Sequence, residues 1–228
     1  MVLLSDIAEM KFVSENSAEP LVSLRGVHDR VVVDESRSQI ASRSEYFCYA
    51  RQSVRELLAR AADRLPPGYC FILKEAYRPL SRQRRSYEEA YAKYRALHAG
   101  LSDRELRDKV ATYVAPVSVA GHPTGGAIDV TLGSGGRELD MGTRFNDEAE
   151  ETGDRTYLHA ANIGEEAKAK RAILKDALSV VGFVNYPPEW WHWSYGDAYW
   201  AYCTKSGVKY EAIDDAAIDR HPGRKGEA

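Results

Sequence analysis

The sequence is short of several things at once, and each shortage excludes something. Cysteine is scarce: Cys48, Cys70 and Cys203 stand far apart among 228 residues, an odd number with no CxxC pair. A disulfide scaffold needs a dense, even set, so the expectation is reduced core thiols in a cytoplasmic protein. Neither charge is in excess, since 31 Lys+Arg against 34 Asp+Glu give a net charge of −3 and a pI near 6.1. A nucleic-acid binder would show a basic excess or stripe, so no nucleic-acid partner is expected. Long hydrophobic runs are missing too, and none approaches the roughly 20 apolar residues that span a bilayer. The first residues turn acidic at Asp6 and Glu9 and have neither the basic nor the apolar region of a leader, which again points to the cytoplasm and away from a membrane. Repeats and low-complexity linkers are absent, so residues 1–228 are expected to form a single domain. What the chain does have is a 44% hydrophobic and 10% aromatic content. A domain of this length buries roughly 70–75% of its extended-chain surface, enough for a core without staples.

The patterning predicts intermingled helices and strands. Arg30–Asp34 is β-like. Ser44 has the form of an N-cap for a helix placing Phe47, Val54, Leu57, Leu58, Ala61 and Leu65 at helical spacing up to Pro66-Pro67-Gly68. Tyr69–Glu75 has the apolar density of a buried strand. Two charged helices are expected at about 81–98 and 103–114, the second opening on a capping box, Ser102-Asp-Arg-Glu105. Gly126–Leu132 alternates, with Ile128, Val130 and Leu132 on one face and Ala127, Asp129 and Thr131 on the other, and Gly133–Gly136 makes a hairpin turn. A helix at about 164–181 follows, capped by Gly182. Trp190–Tyr195 and Tyr199–Cys203 look like strands joined at Gly196-Asp197, and the tail after Asp214 is charged and expected to fray. The fold class expected is α+β, with a central antiparallel sheet flanked by helices.

Two segments carry candidate chemistry. In His122-Pro-Thr-Gly-Gly-Ala-Ile-Asp129 a loop histidine leads through a flexible turn to an aspartate on the polar face of a strand, so both side chains can converge on one cation. Taken alone, the commoner meaning of such a spacing is a loop His and a surface Asp with no joint role. In Glu189-Trp-Trp-His192 a regular strand would turn the two polar side chains to opposite sides. Pro187-Pro188 break the strand just before Glu189, which lets its carboxylate swing onto the histidine's side. Together the segments offer two His and one Asp, the three protein ligands of a catalytic zinc, with Glu189 as a general base. Arg78, in Glu75-Ala-Tyr-Arg-Pro79, is a candidate for stabilising an oxyanion, though alone it would pass for a surface arginine in a turn.

Tyr77-Arg-Pro79, His122–Asp129, Met141-Gly-Thr-Arg-Phe145 and Glu189–His192 occur in an order that resembles the D-alanyl-D-alanine dipeptidases of the VanX type. These are zinc peptidases related to D-Ala-D-Ala carboxypeptidases and to the hedgehog-type zinc domain. The resemblance spans about residues 69–195, within a motif-bearing core of about 69–203. It implies one zinc ion per chain bound by His122, Asp129 and His192, with Glu189 as catalytic base. It also implies Arg78 as the group that polarises the scissile carbonyl, an α+β fold, and a small D,D-peptide as substrate. The alternatives it leaves open are a D,D-carboxypeptidase for longer or N-blocked peptides and a zinc domain without catalysis.

The sequence departs from those dipeptidases at two places, both concerned with substrate. Where they have a serine ahead of the first histidine, this chain has Ala120-Gly121, which offer only backbone groups. Where they follow Met-Gly-Thr-Arg-Phe with an aspartate that pairs with the substrate's ammonium, this chain has Asn146, with Asp147 one step later. The ion pair would then be lost or moved to Asp147.

Overall fold

A computed structural model of the chain describes residues 1–15 and 17–213. In chain order, helix α1 (Leu4–Ile7) precedes strands β1 (Leu21–Ser23), β2 (Val31–Val33) and β3 (Tyr49–Arg51). Helix α2 (Gln52–Ala62), strand β4 (Tyr69–Glu75) and helices α3 (Leu80–Leu97) and α4 (Asp103–Ala111) follow. Strands β5 (Ala127–Ser134) and β6 (Arg137–Glu138) lead to helices α5 (Ala149–Thr152) and α6 (Glu165–Ser179), and then β7 (Val184–Asn185), β8 (His192–Ser194) and helix α7 (Ala198–Thr204). The main sheet is ordered β2-β4-β5-β8-β7, with β6 paired to the far end of β5. It is antiparallel except where β2 lies parallel to β4, and β1 and β3 form a separate pair. The fold class is α+β, as the patterning predicts.

Strand β5 is the centre of the sheet and is buried from Ala127 to Gly133. Ile128, Val130 and Leu132 point into the main core, which also holds Phe71, Leu73, Leu174, Leu178 and Trp193. Each such side chain contributes roughly 1.5–3 kcal/mol when fully buried. The opposite face of β5 carries Asp129 and Thr131. At the far end, Gly135 and Gly136 (φ 56° and 75°) close the hairpin to β6 with the left-handed pair that a two-residue turn requires.

Strand β4 is not regular. Phe71, Ile72 and Leu73 oppose Leu132, Thr131 and Val130 in turn, but the next partner of Asp129 is Glu75, and Lys74 is the extra residue of a bulge. Period-two alternation would place Glu75 with Phe71 and Leu73 on the core face. The bulge shifts the phase and puts Glu75 on the face of Asp129. Lys74 is buried and ties three strands together, its ammonium 2.9 Å from Asp34 beyond β2 and 2.5 Å from Glu138 of β6.

The helices at 80–97 and 103–111 stand where their spacing puts them, and Ser102 and Glu105 form the reciprocal capping box. Helix α6 ends as expected, with Gly182 at φ 106° and Phe183 N–H bonding back to Leu178 O. Three expectations need correction. The helix assigned from Ser44 begins only at Gln52, because Phe47 is drawn into the core and Tyr49–Arg51 pairs with β1. Tyr199–Cys203 is helical: Asp197, read as part of a strand-connecting turn, caps α7 by accepting from Trp200 N–H at 2.9 Å. The strand expected at Trp190–Tyr195 is confined to His192–Ser194, since the two preceding residues belong to a turn. The tail after Asp214 lies outside the described residues. Among the described residues no helix is long and apolar enough to cross a membrane.

Candidate metal centre

His122 opens a single 3-10 turn that ends at Gly125, whose φ of 72° and N–H bond to His122 O need a residue without a Cβ. That turn delivers the chain into β5, where the third residue is Asp129. Asp129 is directly opposite His192, the first residue of β8, so sheet register alone places these two side by side. The three side chains converge: one donor atom from each of His122, Asp129 and His192 lies within 4.8 Å of the others, all buried. Asp129 Oδ2 is 3.3 Å from His122 Nε2 and Asp129 Oδ1 is 3.0 Å from His192 Nδ1. The two imidazoles meet edge to face with centroids 4.8 Å apart.

Glu189 joins them because its segment is a turn: Glu189 N–H bonds Tyr186 O and His192 N–H bonds Glu189 O. This overrides the divergence a strand would impose, and Glu189 Oε2 sits 3.8 Å from His192 Nδ1. Arg78 is fixed from three sides. Its Nε and Nη2 donate to the two oxygens of Glu75 at 2.8 and 3.0 Å, and Nη1 donates to Gln83 Oε1 at 2.8 Å. Backbone bonds lock this arm to His122, since Arg78 N–H reaches His122 O and His122 Nδ1 is 2.6 Å from Ala76 O. Glu75, Asp129 and His192 thus form a row across three strands.

The electrostatics follow from burial and neighbours. Burial alone would raise the Asp129 carboxyl, but His122 and His192 outweigh it and hold it well below the usual carboxylate range. Burial opposes the His122 imidazolium, yet Asp129 wins and the imidazole is pushed up against the opposing charge of Arg78. Glu189 is raised well above its ordinary value by burial and by the charge of Asp129, with Arg78 pulling the other way. Burial disfavours the Arg78 cation, but Glu75 more than offsets this and keeps it charged.

All five residues line one cavity of about 260 Å³, which Ala120, Gly121 and Asn146 also border. Gly121 has no room for a side chain, because a Cβ there would collide with Asp197 Oδ2 and Ala127. Asn146, in the left-handed region at φ 63°, donates its amide to Gln39 O at 2.8 Å. Asp147 is not brought to this cavity. It faces a separate surface groove and binds Arg144. Met141–Phe145 has a supporting job: Thr143 Oγ1 accepts from Trp190 Nε1 at 2.9 Å, and Phe145 packs edge-on against Trp191.

Several contributing residues were invisible to motif reasoning. Gln83 holds Arg78 and donates to Ala115 O. Arg171, buried in α6, donates to Met141 O, Tyr157 O and Arg155 O and stacks on Trp190. With no carboxylate bonded to it among the described residues, burial pushes its pKa down to about 10. Its signal was available, since Ala167, Arg171, Leu174 and Leu178 fall on one helical face. Ser194 and Asp197 also border the cavity, and nothing in their spacing marks them.

The sequence pattern of the family described as D-ala-D-ala dipeptidase matches residues 32–210. The chain belongs to this family. The match contains the whole of the centre, from Glu75 to Asp197. Among curated relatives, a D-alanyl-D-alanine dipeptidase of Synechocystis sp. is 26% identical over 159 residues, 60% of this chain and 64% of that protein. A D-alanyl-D-alanine dipeptidase of Escherichia coli is 35% identical over 82 residues, 35% of this chain and 40% of that protein. The aligned parts are thus less than two thirds of either relative. Two solved structures are also similar: a mutant vancomycin-resistance D,D-pentapeptidase VanY with Zn(II) (21% identity, 64% of this chain and 72% of that one, TM-score 0.39), and VanYB with D-alanine-D-alanine (19% identity, 70% and 80%, TM-score 0.38).

Proposed function

We propose that this family member is a zinc-dependent peptidase that hydrolyses the peptide bond of D-Ala-D-Ala or a related D,D-dipeptide. The observation that carries the reading is the convergence of His122, Asp129 and His192 in one cavity with Glu189 and a clamped Arg78 beside them. Family membership and the names of the curated relatives support the substrate class. The donor set fits zinc: two imidazoles and one carboxylate are the three protein ligands of a catalytic site, and they favour zinc over calcium or magnesium. When bound, zinc supplies Lewis acidity that acidifies water and polarises a carbonyl. Glu189 takes the proton of the attacking water and passes it to the leaving amine, a role suited to a carboxyl raised by burial. Arg78, already aligned by Glu75 and Gln83, donates toward the oxyanion without having to reorganise. A merely structural zinc site would need neither residue. The cavity of about 260 Å³ lies below the roughly 300–1,000 Å³ of drug-sized pockets, which suits a short peptide.

The test is zinc content and turnover measured together in Glu189→Ala. The expected variant keeps zinc and loses roughly 10²–10⁴-fold in rate. Zinc retention with undiminished turnover rejects Glu189 as the base. Hydrolysis that survives complete chelation rejects the zinc reading.

Asn146 favours a second reading, in which the substrate amine is blocked or part of a longer chain. The residue brings no charge, Asp147 is turned onto Arg144, and Glu148 on the cavity wall is already held by Lys93 and Tyr94. Comparing D-Ala-D-Ala with its N-acetyl form separates the two, and preference for the blocked peptide selects the carboxypeptidase. Among the described residues Cys48, Cys70 and Cys203 form no disulfide, which suits a reducing compartment, and we place the activity in the cytoplasm.

A further inference from the structure

The two histidines of the centre are held from behind in different ways. His122 has its second nitrogen, Nδ1, 2.6 Å from the carbonyl of Ala76. That carbonyl can only accept, so Nδ1 carries the proton and Nε2 is left facing Asp129. His192 is turned the other way round, with Nδ1 toward Asp129 and Glu189 and Nε2 3.4 Å from Ser194 Oγ. Behind Ser194 stands Asp197, 1% exposed. Its Oδ1 is spent on Trp200 N–H at 2.9 Å, capping α7. Among the described residues its Oδ2 is buried with no donor in well-formed hydrogen-bond geometry, and the side-chain hydroxyl acting on this carboxylate is that of Ser194. Gly121 keeps the space open, because any Cβ there would meet Oδ2.

Proton accounting connects these facts. A histidine offering Nδ1 to a metal carries its proton on Nε2, and that N–H needs an acceptor in a buried site. Ser194 Oγ is in place to accept it. The hydroxyl proton then needs its own acceptor, and the unfilled oxygen of Asp197 is beside it. Building on the zinc site argued above, we propose that Ser194 and Asp197 are positioning residues for His192. Its Nε2–H donates to Ser194 Oγ and the Ser194 hydroxyl donates to Asp197, which fixes the tautomer and ring orientation that leave the Nδ1 lone pair directed at the metal. One histidine is thus braced by a neutral backbone carbonyl and the other by a relay ending in a carboxylate.

Zinc dissociation constants, measured by competition with a chromogenic chelator, test the relay in the full chain. The variants are Ser194→Ala, Asp197→Asn and the pair together. Asn retains a good N-cap for α7, so Asp197→Asn breaks the relay without removing the cap. Loss of an outer partner of a metal ligand weakens binding roughly 10–100-fold, and each single variant is expected to do so. The double variant should bind zinc no more weakly than the weaker single, because one chain is broken once. Unchanged affinity in both singles, or losses that multiply in the double, overturns the relay while leaving the metal centre intact. Wild-type protein that binds no zinc overturns the metal centre and the relay with it. Long-range ¹H–¹⁵N spectra of the zinc-loaded wild type give a readout independent of any variant's folding: the proton is expected on Nε2 of His192 and on Nδ1 of His122. A proton on Nδ1 of His192 overturns the proposal.

Discussion

Arg78 acts as a planar fork as much as a charge. It fills both oxygens of Glu75 and the side-chain carbonyl of Gln83 at once, which a lysine ammonium cannot do in one geometry. Arg78→Lys is therefore expected to keep zinc affinity and lose roughly 10²–10³-fold in kcat, the usual cost of one oxyanion donor, as steady-state kinetics on D-Ala-D-Ala will show. Gly121 makes the opposite kind of demand, because it is needed for what it lacks. Its φ is ordinary, so strain is not the issue; the added methyl of Gly121→Ala would press on Asp197 and Ala127. Overpacking of this kind costs roughly 1–3 kcal/mol, measurable by denaturant unfolding. At this scale the sequence showed His122, Asp129, Glu189 and His192 because their types announce their chemistry. Gln83, Ser194 and Asp197 stayed hidden because a neutral amide, a hydroxyl and a helix cap acquire their roles only from three-dimensional neighbours. Asp147, named as a substrate residue, is turned away by its bonds to Arg144.

At the level of elements, the periodic signals held wherever one face of a helix or strand decides its burial, as in β4, β5, α4 and α6. They failed where tertiary pairing overrode local preference. Tyr199–Cys203 has strand composition, yet the Asp197 cap and its packing make it a helix. The bulge in β4 leaves no sequence trace, since Tyr69–Glu75 looks like an unbroken strand. Helix α6 supports the centre through Arg171, which supplies the loops at 141, 155 and 157 with hydrogen bonds. Arg171→Ala leaves these buried carbonyls short of a donor and is expected to destabilise the fold by roughly 2–5 kcal/mol in denaturant unfolding. Lys74 predicts a pH dependence. Burial would raise the Asp34 carboxyl, but Lys74 and Ser36 outweigh it, so its pKa is lowered in the folded chain. Asp34 thus contributes stability above its unfolded pKa near 4, and that contribution fades as pH falls through the lower folded value. Lys74 is raised, burial being outweighed by Asp34 and Glu138, so its part is full below the unfolded value near 10.4 and is lost at higher pH. Asp34→Asn is expected to flatten the loss of stability between neutral pH and pH 3, as urea unfolding at the two pH values will report.

Across the whole molecule, the α+β class and the segments that converge at His122, Asp129 and His192 were legible, while the order of strands, the parallel β2 and the cavity wall were not. Composition and period constrain burial, whereas strand order depends on contacts distant in the chain. The proposed centre would draw its ligands from a turn, the middle strand and a neighbouring strand, so an ion bound there would join elements from residues 122 to 192. Zinc at 1,000 times its dissociation constant should raise stability by about 4 kcal/mol, and thermal unfolding with and without chelator measures this. The bulge in β4 has a consequence for which cation the centre hosts. In an unbroken ladder the residue opposite Asp129 would be Lys74, a tethered ammonium beside the ligand carboxylate. Such a permanent counter-ion would compete with any diffusible one. With one residue looped out, the neighbour of Asp129 is Glu75, and the lysine serves the strands outside the cavity. A one-residue phase slip thus keeps a lysine away from the carboxylate that the proposed metal centre would use.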